Sequence, residues 1–215
     1  MAHLTKADVL VAEAEPVTRC GLVHLINSHP RLRVSAEAET LPLARDFCRK
    51  HKPEVLVLDP AMGDGFAFIK DLPKWSRGTR VVVFTGMSDA LAVQRAFKAG
   101  ACAFVTRRDP VSALIDAMVG ALTGERHMGP QVEHLLLENL ASGLVEMRGN
   151  EVAALSNREL QVFRLLGGGL GTRAVATELG LSVKTVETHR QRMKEKLQVT
   201  TSTELHRRAV LYHGR

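Results

Sequence analysis

The first 125 residues alternate between short apolar segments and amphipathic ones, and this alternation limits the possible folds more than any other feature of the chain. Segments with the composition of β-strands lie at residues 9–12, 33–36, 55–58, 81–85 and 103–106. Helical periodicity separates them at residues 17–28, 41–50, 90–99 and 111–122, and more weakly in FAFIKDL before Pro73. Several strands are apolar throughout, which is typical of a parallel sheet covered on both faces. The pattern predicts a flavodoxin-like α/β domain over residues 1–125, with a five-stranded, doubly wound parallel sheet.

Residues 126–154 form a bridge that contains one amphipathic helix. Pro130 suits a first helical position, and the helix is expected to end near Arg148 and Gly149. Its apolar positions recur at helical spacing: Val132, Leu135, Leu136, Leu140 and Leu144. This apolar face predicts packing either on the first domain or on a second subunit, and the pattern leaves both open.

Residues 155–215 form a small domain that is predicted to be all-helical. Ser156 and Glu159 make a capping-box pattern, and Gly167–Gly169 ends the helix that they begin. A short helix over 172–179 stops at Gly180, and Ser182 caps a longer one over 183–197. A last helix is expected over residues 202–212.

Composition excludes several classes of protein. No apolar run reaches 18 residues and the N-terminus lacks a signal-peptide pattern, so we expect a cytoplasmic protein with no membrane partner. Three widely spaced cysteines, Cys20, Cys48 and Cys102, indicate reduced thiols, and no His or Cys cluster has the spacing of a zinc site. No catalytic triad or acid–base pair is present, so an enzyme is not expected.

The positive charge is concentrated at the C-terminal end. Residues 155–215 hold 11 Lys and Arg against 5 Asp and Glu, whereas residues 1–128 hold 17 against 14. A basic segment of this kind indicates a polyanionic partner. Its aromatic residues are only Phe163 and Tyr212, which argues against a surface that stacks single-stranded bases.

Polar groups of complementary kinds follow the strands of the predicted sheet. Glu13 and Glu15 follow the first strand, and Asp59 follows the third, VLVL. Thr85 ends the fourth strand, and Arg107 follows the fifth. Ligands of such sheets gather at the carboxyl ends of the strands, so these groups are expected to form one site.

The segment RAVATELGLSVKTVETHRQRMKEKL, Arg173–Leu197, has the pattern of two helices joined by a tight turn. Its second helix has an apolar inner face and a polar outer face bordered by cations, which suits the major groove of double-stranded DNA. Cations would contact phosphates, and Thr and Gln would contact base edges. The candidate DNA-binding residues are Thr172, Arg173, Lys184, Thr185, Glu187, Thr188, Arg190, Gln191, Arg192 and Lys194.

Residues 155–212 resemble the LuxR-type helix-turn-helix domain, most specifically in the core SxxTVExH, and residues 7–122 resemble a response-regulator receiver. The whole chain resembles a NarL/FixJ-type response regulator. The resemblance implies that Asp59 accepts a phosphoryl group from a histidine kinase, with Mg²⁺ held by acids after the first strand. It places Thr85 as the switch hydroxyl, Phe104 as the switch aromatic and Arg107 where the family has an invariant Lys.

The receiver pocket departs from the family pattern in three places. Ala14 follows Glu13 where a second adjacent acid is expected, and Glu15 should point away. The loop after Asp59 is two residues shorter than the family's, and Arg107 is bulkier than Lys. We therefore expect Mg²⁺ binding to be weak or absent, and we expect a receiver that acts without phosphorylation, as a dimerisation or partner-binding module. Arg107 could instead pair directly with Asp59 or Glu13.

The sequence thus predicts a homodimeric DNA-binding transcription regulator, under a kinase or another protein regulator. The last helix, through Leu205, Ala209 and Tyr212, either joins two DNA-binding domains or packs in the core. Glu187 either accepts from a cytosine amine or orients Arg190 or Gln191. Two alternatives stay open: a conventional regulator phosphorylated on Asp59, and an interaction protein that titrates a partner and has vestigial DNA binding.

Overall fold

The structure is a computed structural model that describes residues 6–141 and 152–213. The chain divides into two compact units, Met1–Ala141 and Ser142–Arg215.

The first unit is built on a parallel sheet of six strands. Its strands are β1 Ala7–Ala12, β2 Leu32–Ala38, β3 Val55–Leu58, β4 Arg80–Thr85, β5 Ala103–Thr106 and β6 His127–Met128. Their order is β2-β1-β3-β4-β5-β6, and every neighbouring pair is parallel. The five predicted strands and the flavodoxin-like architecture are confirmed. The sequence did not predict β6, because two residues are too few to show a strand period.

Helices cover both faces of this sheet. They are α1 Pro16–Ser28, α2 Leu41–His51, α3 Gly65–Asp71, α4 Ala90–Ala99, α5 Val111–Thr123 and α6 Pro130–Ala141, with a 3₁₀ turn at Leu72–Lys74. Successive residues of β1 alternate between the two faces, since Leu10 belongs to one apolar cluster and Val9 and Val11 to the other. This two-sided burial accounts for the uniformly apolar strands.

Helix α6 packs on the first unit. Val132 is 1% exposed and lies in the same cluster as residues of α4 and β5, with Leu136 against it. Of the two packing alternatives for the bridge helix, the structure has packing on the first domain. Leu144, Arg148 and Gly149 lie outside the described residues, and so does the side chain of Leu140.

The second unit is helical, as predicted, with α7 Asn157–Gly167, α8 Thr172–Glu178, α9 Val183–Lys196 and α10 Ser202–His213. The capping box is present, because Ser156 Oγ accepts from the backbone N–H of Glu159 and Glu159 Oε2 accepts from that of Ser156. Gly180 follows α8 with φ +62°, a conformation that favours glycine at a helix end.

Helix α10 packs within the core of its own unit. Leu205 and Ala209 are fully buried, and the Phe163 and Tyr212 rings lie 5.8 Å apart between centroids. Core packing therefore accounts for these positions, and the exposed apolar side chains of α10 are Val210 and Leu211.

Within the described residues, no helix has the length and apolar character needed to cross a membrane. All three cysteines are free thiols, with Cys48 buried and Cys20 exposed. Burial raises the pKa of the Cys48 thiol to about 12, so this residue behaves as a small apolar side chain.

Candidate functional site

The predicted convergence of charged groups is present at the carboxyl edge of the sheet. Arg107 Nη2 lies 2.9 Å from Glu13 Oε2 and 2.9 Å from Asp59 Oδ2, and Nη1 lies 3.1 Å from Glu15 Oε2. The Glu13 and Asp59 side chains are 2% and 7% exposed, whereas that of Arg107 is 29% exposed. One guanidinium thus pairs with three carboxylates.

Both oxygens of Asp59 have hydrogen-bond donors. Oδ2 accepts from Arg107, while Oδ1 accepts from Thr85 Oγ1 at 2.8 Å and from the backbone N–H of Ala61 at 2.9 Å. Thr85 is fully buried. The strand ends thus hold the carboxylate in one orientation.

The short loop after Asp59 depends on glycine. A Cβ on Gly65 would lie 2.3 Å from Pro60 Cα, so any other residue would force the loop open. Gly63 has φ +57°, which also favours glycine. The loop therefore brings the backbone of Gly65 against that of Pro60.

The prediction that Glu15 points away from the site is wrong. The backbone N–H of Glu15 donates to Glu13 Oε1 at 2.9 Å, which turns the chain after β1. Strand alternation ends at Ala12, so side-chain direction in this loop follows local hydrogen bonds and not the period of two that the prediction assumed. Glu15 therefore reaches Arg107.

A second arginine, which the sequence did not single out, supports this loop. Arg19 Nη1 donates to the carbonyl oxygens of Glu13 at 2.8 Å and Ala14 at 3.3 Å. Its Nε lies 3.4 Å from Glu37 Oε2. Arg19 lies in the first turn of α1, close to the loop after β1. This short separation in the sequence is the signal that could have identified it as a residue that supports the loop.

Burial and ion pairing act in opposite directions on the carboxyl groups. Burial raises the pKa of Asp59 and of Glu13, and the positive charge of Arg107 offsets only part of the rise. The exposed Glu15 has a lowered pKa, because its hydrogen bond from Arg107 outweighs its slight burial. Burial alone lowers the pKa of Arg107, but the neighbouring carboxylates outweigh it and the net shift is upward.

Arg107 takes the position where a magnesium ion would contact both Glu13 and Asp59. The two oxygens that would have to face it, Glu13 Oε2 and Asp59 Oδ2, accept from the same nitrogen of Arg107. Mg²⁺ needs oxygen ligands at about 2.0–2.1 Å in octahedral geometry, so an ion at this position would have to displace the guanidinium. In the part of the chain that the structure describes, no group of three or more His, Cys, Asp or Glu is arranged to hold a metal ion.

Phe104 lies in the core and not at the pocket surface. Its side chain is fully buried in the cluster on the α4 side of the sheet. Its carbonyl oxygen accepts from the backbone N–H of Gly129 at 2.9 Å, which joins β5 to the start of the bridge.

The second candidate site is the outer surface of α9. Val186 and Met193 are buried, whereas the opposite side of the helix carries exposed Lys184, Glu187, Thr188, Gln191 and Arg192. Arg173 is exposed on α8, and Arg190, Lys194 and Thr185 are partly exposed. The N-terminus of α9 is capped, since Ser182 Oγ accepts from the backbone N–H of Thr185 at 3.0 Å.

The polar side chains of this surface form contacts that the sequence did not predict. Arg190 Nη1 donates to Thr172 Oγ1, which links α9 to α8. Gln191 Nε2 donates to Glu195 Oε1 at 3.1 Å. The acceptors of these two side chains are thus Thr172 and Glu195, and the role of Glu187 stays a prediction.

Two residues of α7 fix the position of α9. Arg158 Nη2 donates to the carbonyl oxygen of Leu179 at 2.7 Å, just before the turn. Lys196 Nζ lies 2.7 Å from Glu159 Oε2, whose side chain is 3% exposed. Burial raises the pKa of Glu159, but the hydrogen bonds from Lys196 and Ser156 outweigh it and lower the pKa. From the sequence, the capping-box pattern predicted only the contact of Glu159 with Ser156 and not its ion pair with Lys196.

Comparison with known proteins identifies the family of each of the two domains. Residues 9–118 match the family profile described as the response regulator receiver domain. Residues 153–209 match the profile described as bacterial regulatory proteins, luxR family. Both profiles describe regulatory domains rather than enzymes.

Relatives share this organisation along nearly their whole length. A Pseudomonas aeruginosa protein is 31% identical over 196 residues, which cover 89% of this chain and 91% of its own. The response regulator GacA of Pseudomonas aeruginosa is 27% identical over 200 residues, which cover 92% of each chain.

The fold also matches a solved structure. RcsB from Salmonella enterica serovar Typhimurium, bound to promoter rprA in the presence of BeF₃⁻, aligns with a TM-score of 0.63 and 23% identity over 94% of this chain and 98% of its own. The chain belongs to the response regulators that join a receiver domain to a LuxR-type helix-turn-helix DNA-binding domain.

Proposed function

We propose that this protein binds specific sites on double-stranded DNA as a homodimer and regulates transcription in the cytoplasm, with a receiver that acts without Mg²⁺-dependent phosphorylation. The observation that carries the second part is the position of Arg107 Nη2, 2.9 Å from both Glu13 Oε2 and Asp59 Oδ2. A cation of the protein itself thus lies between the two buried carboxylates of the pocket.

Phosphorylation of Asp59 requires one of its oxygens to attack phosphorus. Here Oδ2 is paired with Arg107, and Oδ1 accepts from Thr85 and Ala61. Moving Arg107 aside would leave Asp59 and Glu13 as poorly compensated charges, which is costly for buried groups. The resting arrangement therefore opposes both metal binding and nucleophilic attack.

The DNA-binding part rests on the charge and shape of α9. Its exposed side carries cations beside Thr188 and Gln191, and the segment from residue 155 onward has 11 cations against 5 acids. Such a helix fits the major groove, where cations contact phosphates and polar groups contact base edges. RcsB, which shares the fold, has been solved on promoter DNA.

Dimerisation would place two copies of α9 on half-sites about 34–36 Å apart. The buried Leu205 and Ala209 are unavailable for this contact, whereas Val210 and Leu211 of α10 are 44% and 56% exposed. Those two side chains are the apolar positions of the last helix that could meet a second copy.

Intact-mass measurement after incubation with acetyl phosphate and Mg²⁺ tests phosphorylation independence. We expect no mass gain. A gain that Asp59→Ala abolishes would overturn this part of the proposal and favour the second candidate, a conventional regulator phosphorylated by a histidine kinase. The position of Asp59 directly after β3, with its N–H on the carbonyl oxygen of Ala12 of β1, is the observation that favours that candidate.

DNA binding is tested by a salt series with a selected operator and a scrambled duplex. A groove-binding protein loses affinity steeply as salt rises and keeps a preference of at least about 10³-fold for its operator. Equal affinity for both duplexes would favour the interaction protein that titrates a partner.

A further inference from the structure

The carboxylate of Asp109 joins the turn after β5 to the first turn of α6. Its Oδ2 accepts from the backbone N–H of Thr106 at 2.7 Å and from Thr106 Oγ1 at 2.8 Å. Its Oδ1 accepts from the backbone N–H of Gln131 at 2.8 Å. The Asp109 side chain thus reaches a residue 22 positions further along the chain.

Asp109 provides a hydrogen-bond acceptor at the N-terminus of helix α6. The first N–H groups of a helix lack partners within it, and a negative charge there is favourable. Pro130 has no N–H to satisfy, so the amide of Gln131 is the first that needs an acceptor. Asp109 supplies that acceptor from another part of the chain.

Gly129 makes room for this contact. A Cβ at this position would lie 2.2 Å from Asp109 Oδ2 and 2.6 Å from its Cγ. Any larger residue would therefore displace the carboxylate from Gln131 without changing its charge. Gly129 is also held by its own N–H, which donates to the carbonyl oxygen of Phe104.

The turn that Asp109 stabilises also carries Arg107. The backbone N–H of Arg107 donates to the carbonyl oxygen of Thr85 at 2.9 Å. The backbone N–H of Asp109 donates to the carbonyl oxygen of Thr106 at 3.1 Å. One end of this turn presents the guanidinium to Glu13 and Asp59, and the other end holds α6. The DNA-binding unit follows α6 along the chain.

We propose that Asp109 is a positioning residue that transmits the state of the Arg107 pocket to the start of α6, the helix that leads to the DNA-binding unit. A loss of the Arg107 ion pairs releases the turn, and the released turn loosens its hold on Gln131. The inference rests on the proposed function only in taking the Arg107 pairs as the resting state of the pocket.

Amide hydrogen exchange of the full chain tests the contact itself. Asp109→Asn, which loses the charge, and Gly129→Ala, which displaces the carboxylate, should each speed exchange at residues 131–136 by about fivefold, the usual size for loss of one helix cap. Asp116→Asn, an exposed change of the same charge on α5, should leave these amides unaltered. Amides of β1 and β3 report on global stability, and the effect should be confined to α6.

The coupling is tested by combining changes. Arg107→Ala alone should speed exchange at residues 131–136, and it should add nothing in the Asp109→Asn background. The inference would be overturned if the increases in exchange rate from Arg107→Ala and Asp109→Asn multiply in the double variant. It would also be overturned if α6 exchange is unchanged in both Asp109→Asn and Gly129→Ala. A mass gain on Asp59 with phosphodonor would contradict the proposed function and leave the exchange result standing, so the two failures are distinguishable.

Discussion

The receiver pocket and the outer surface of α9 use positive charge in opposite ways. In the pocket, one guanidinium has three carboxylate partners within 3.1 Å, and two of these acids are nearly inaccessible. On α9, Lys184 and Arg192 are exposed to solvent. Burial, more than the number of charges, therefore decides whether a cation fixes a conformation or remains available to a polyanion.

The same contrast predicts where substitutions act. Removing one partner of a buried ion pair leaves an uncompensated charge, which costs far more than loss of a solvent-exposed charge. Changes in the pocket should therefore alter stability and phosphorylation, whereas changes on α9 should alter DNA affinity alone.

The largest effect is expected from restoring the family pattern in the pocket. Ala14 is exposed, so a carboxylate fits there, and Lys in place of Arg107 is a smaller cation. The double variant Ala14→Asp with Arg107→Lys should gain the mass of one phosphoryl group with acetyl phosphate and Mg²⁺. Adding Asp59→Ala should abolish the gain, and a double variant that stays unlabelled would show that Arg107 and Ala14 are not what blocks the reaction.

Loss of the pocket cation should destabilise the receiver. Arg107→Ala leaves Glu13 and Asp59 without their partner, and we expect a loss of about 2–3 kcal/mol in unfolding free energy, at the low end for buried pairs because the guanidinium is partly exposed. Denaturant unfolding measures it. Arg108→Ala, at the exposed neighbouring position, is the matched control, and equal losses in both variants would mean that the ion pairs contribute nothing specific.

A cation on α9 should matter for DNA and not for folding. Lys184→Ala should weaken operator binding about fivefold and lower the salt slope by about one, with unchanged thermal stability. Lys98→Ala makes the same charge change at an exposed position of α4 and should leave affinity unaltered. If both variants weaken binding equally, the loss of affinity comes from the change in net charge and not from a contact made by α9.

The smallest effect concerns pH. Burial raises the pKa of Asp59 in the folded state. The protonated carboxyl therefore stabilises the fold below the unfolded-state pKa, and this stabilisation is lost as the pH rises through the folded-state pKa. Asp59→Asn removes this dependence. The unfolding free energy of the variant relative to wild type should therefore increase as pH rises from acid toward neutrality, measured by urea unfolding at several pH values.

Asp116→Asn serves as the control for the pH series, because that carboxyl is exposed on α5. A wild-type stability that falls with decreasing pH relative to Asp59→Asn would contradict the upward shift of the Asp59 pKa.

How much of the molecule could be predicted depends on the range of the signal. The apolar runs of β1, β3 and β5 and the helical period of α9 are local and can be recognised in the sequence. The strand ends then placed Glu13, Asp59, Thr85 and Arg107 together. Loop geometry is not periodic, so the direction of Glu15 was predicted wrongly. The contacts of Asp109 with Gln131 and of Glu159 with Lys196 join distant segments, and no local pattern announces them.

Operator binding by the full-length protein tests the central claim most directly. Operators found by genome-wide mapping would be titrated with wild type and Asp59→Ala, each with and without acetyl phosphate and Mg²⁺. A pocket already occupied by Arg107 predicts one affinity for all four conditions, well above that for a scrambled duplex. An affinity that rises with phosphodonor in wild type and not in Asp59→Ala, or no preference for any operator, would contradict it.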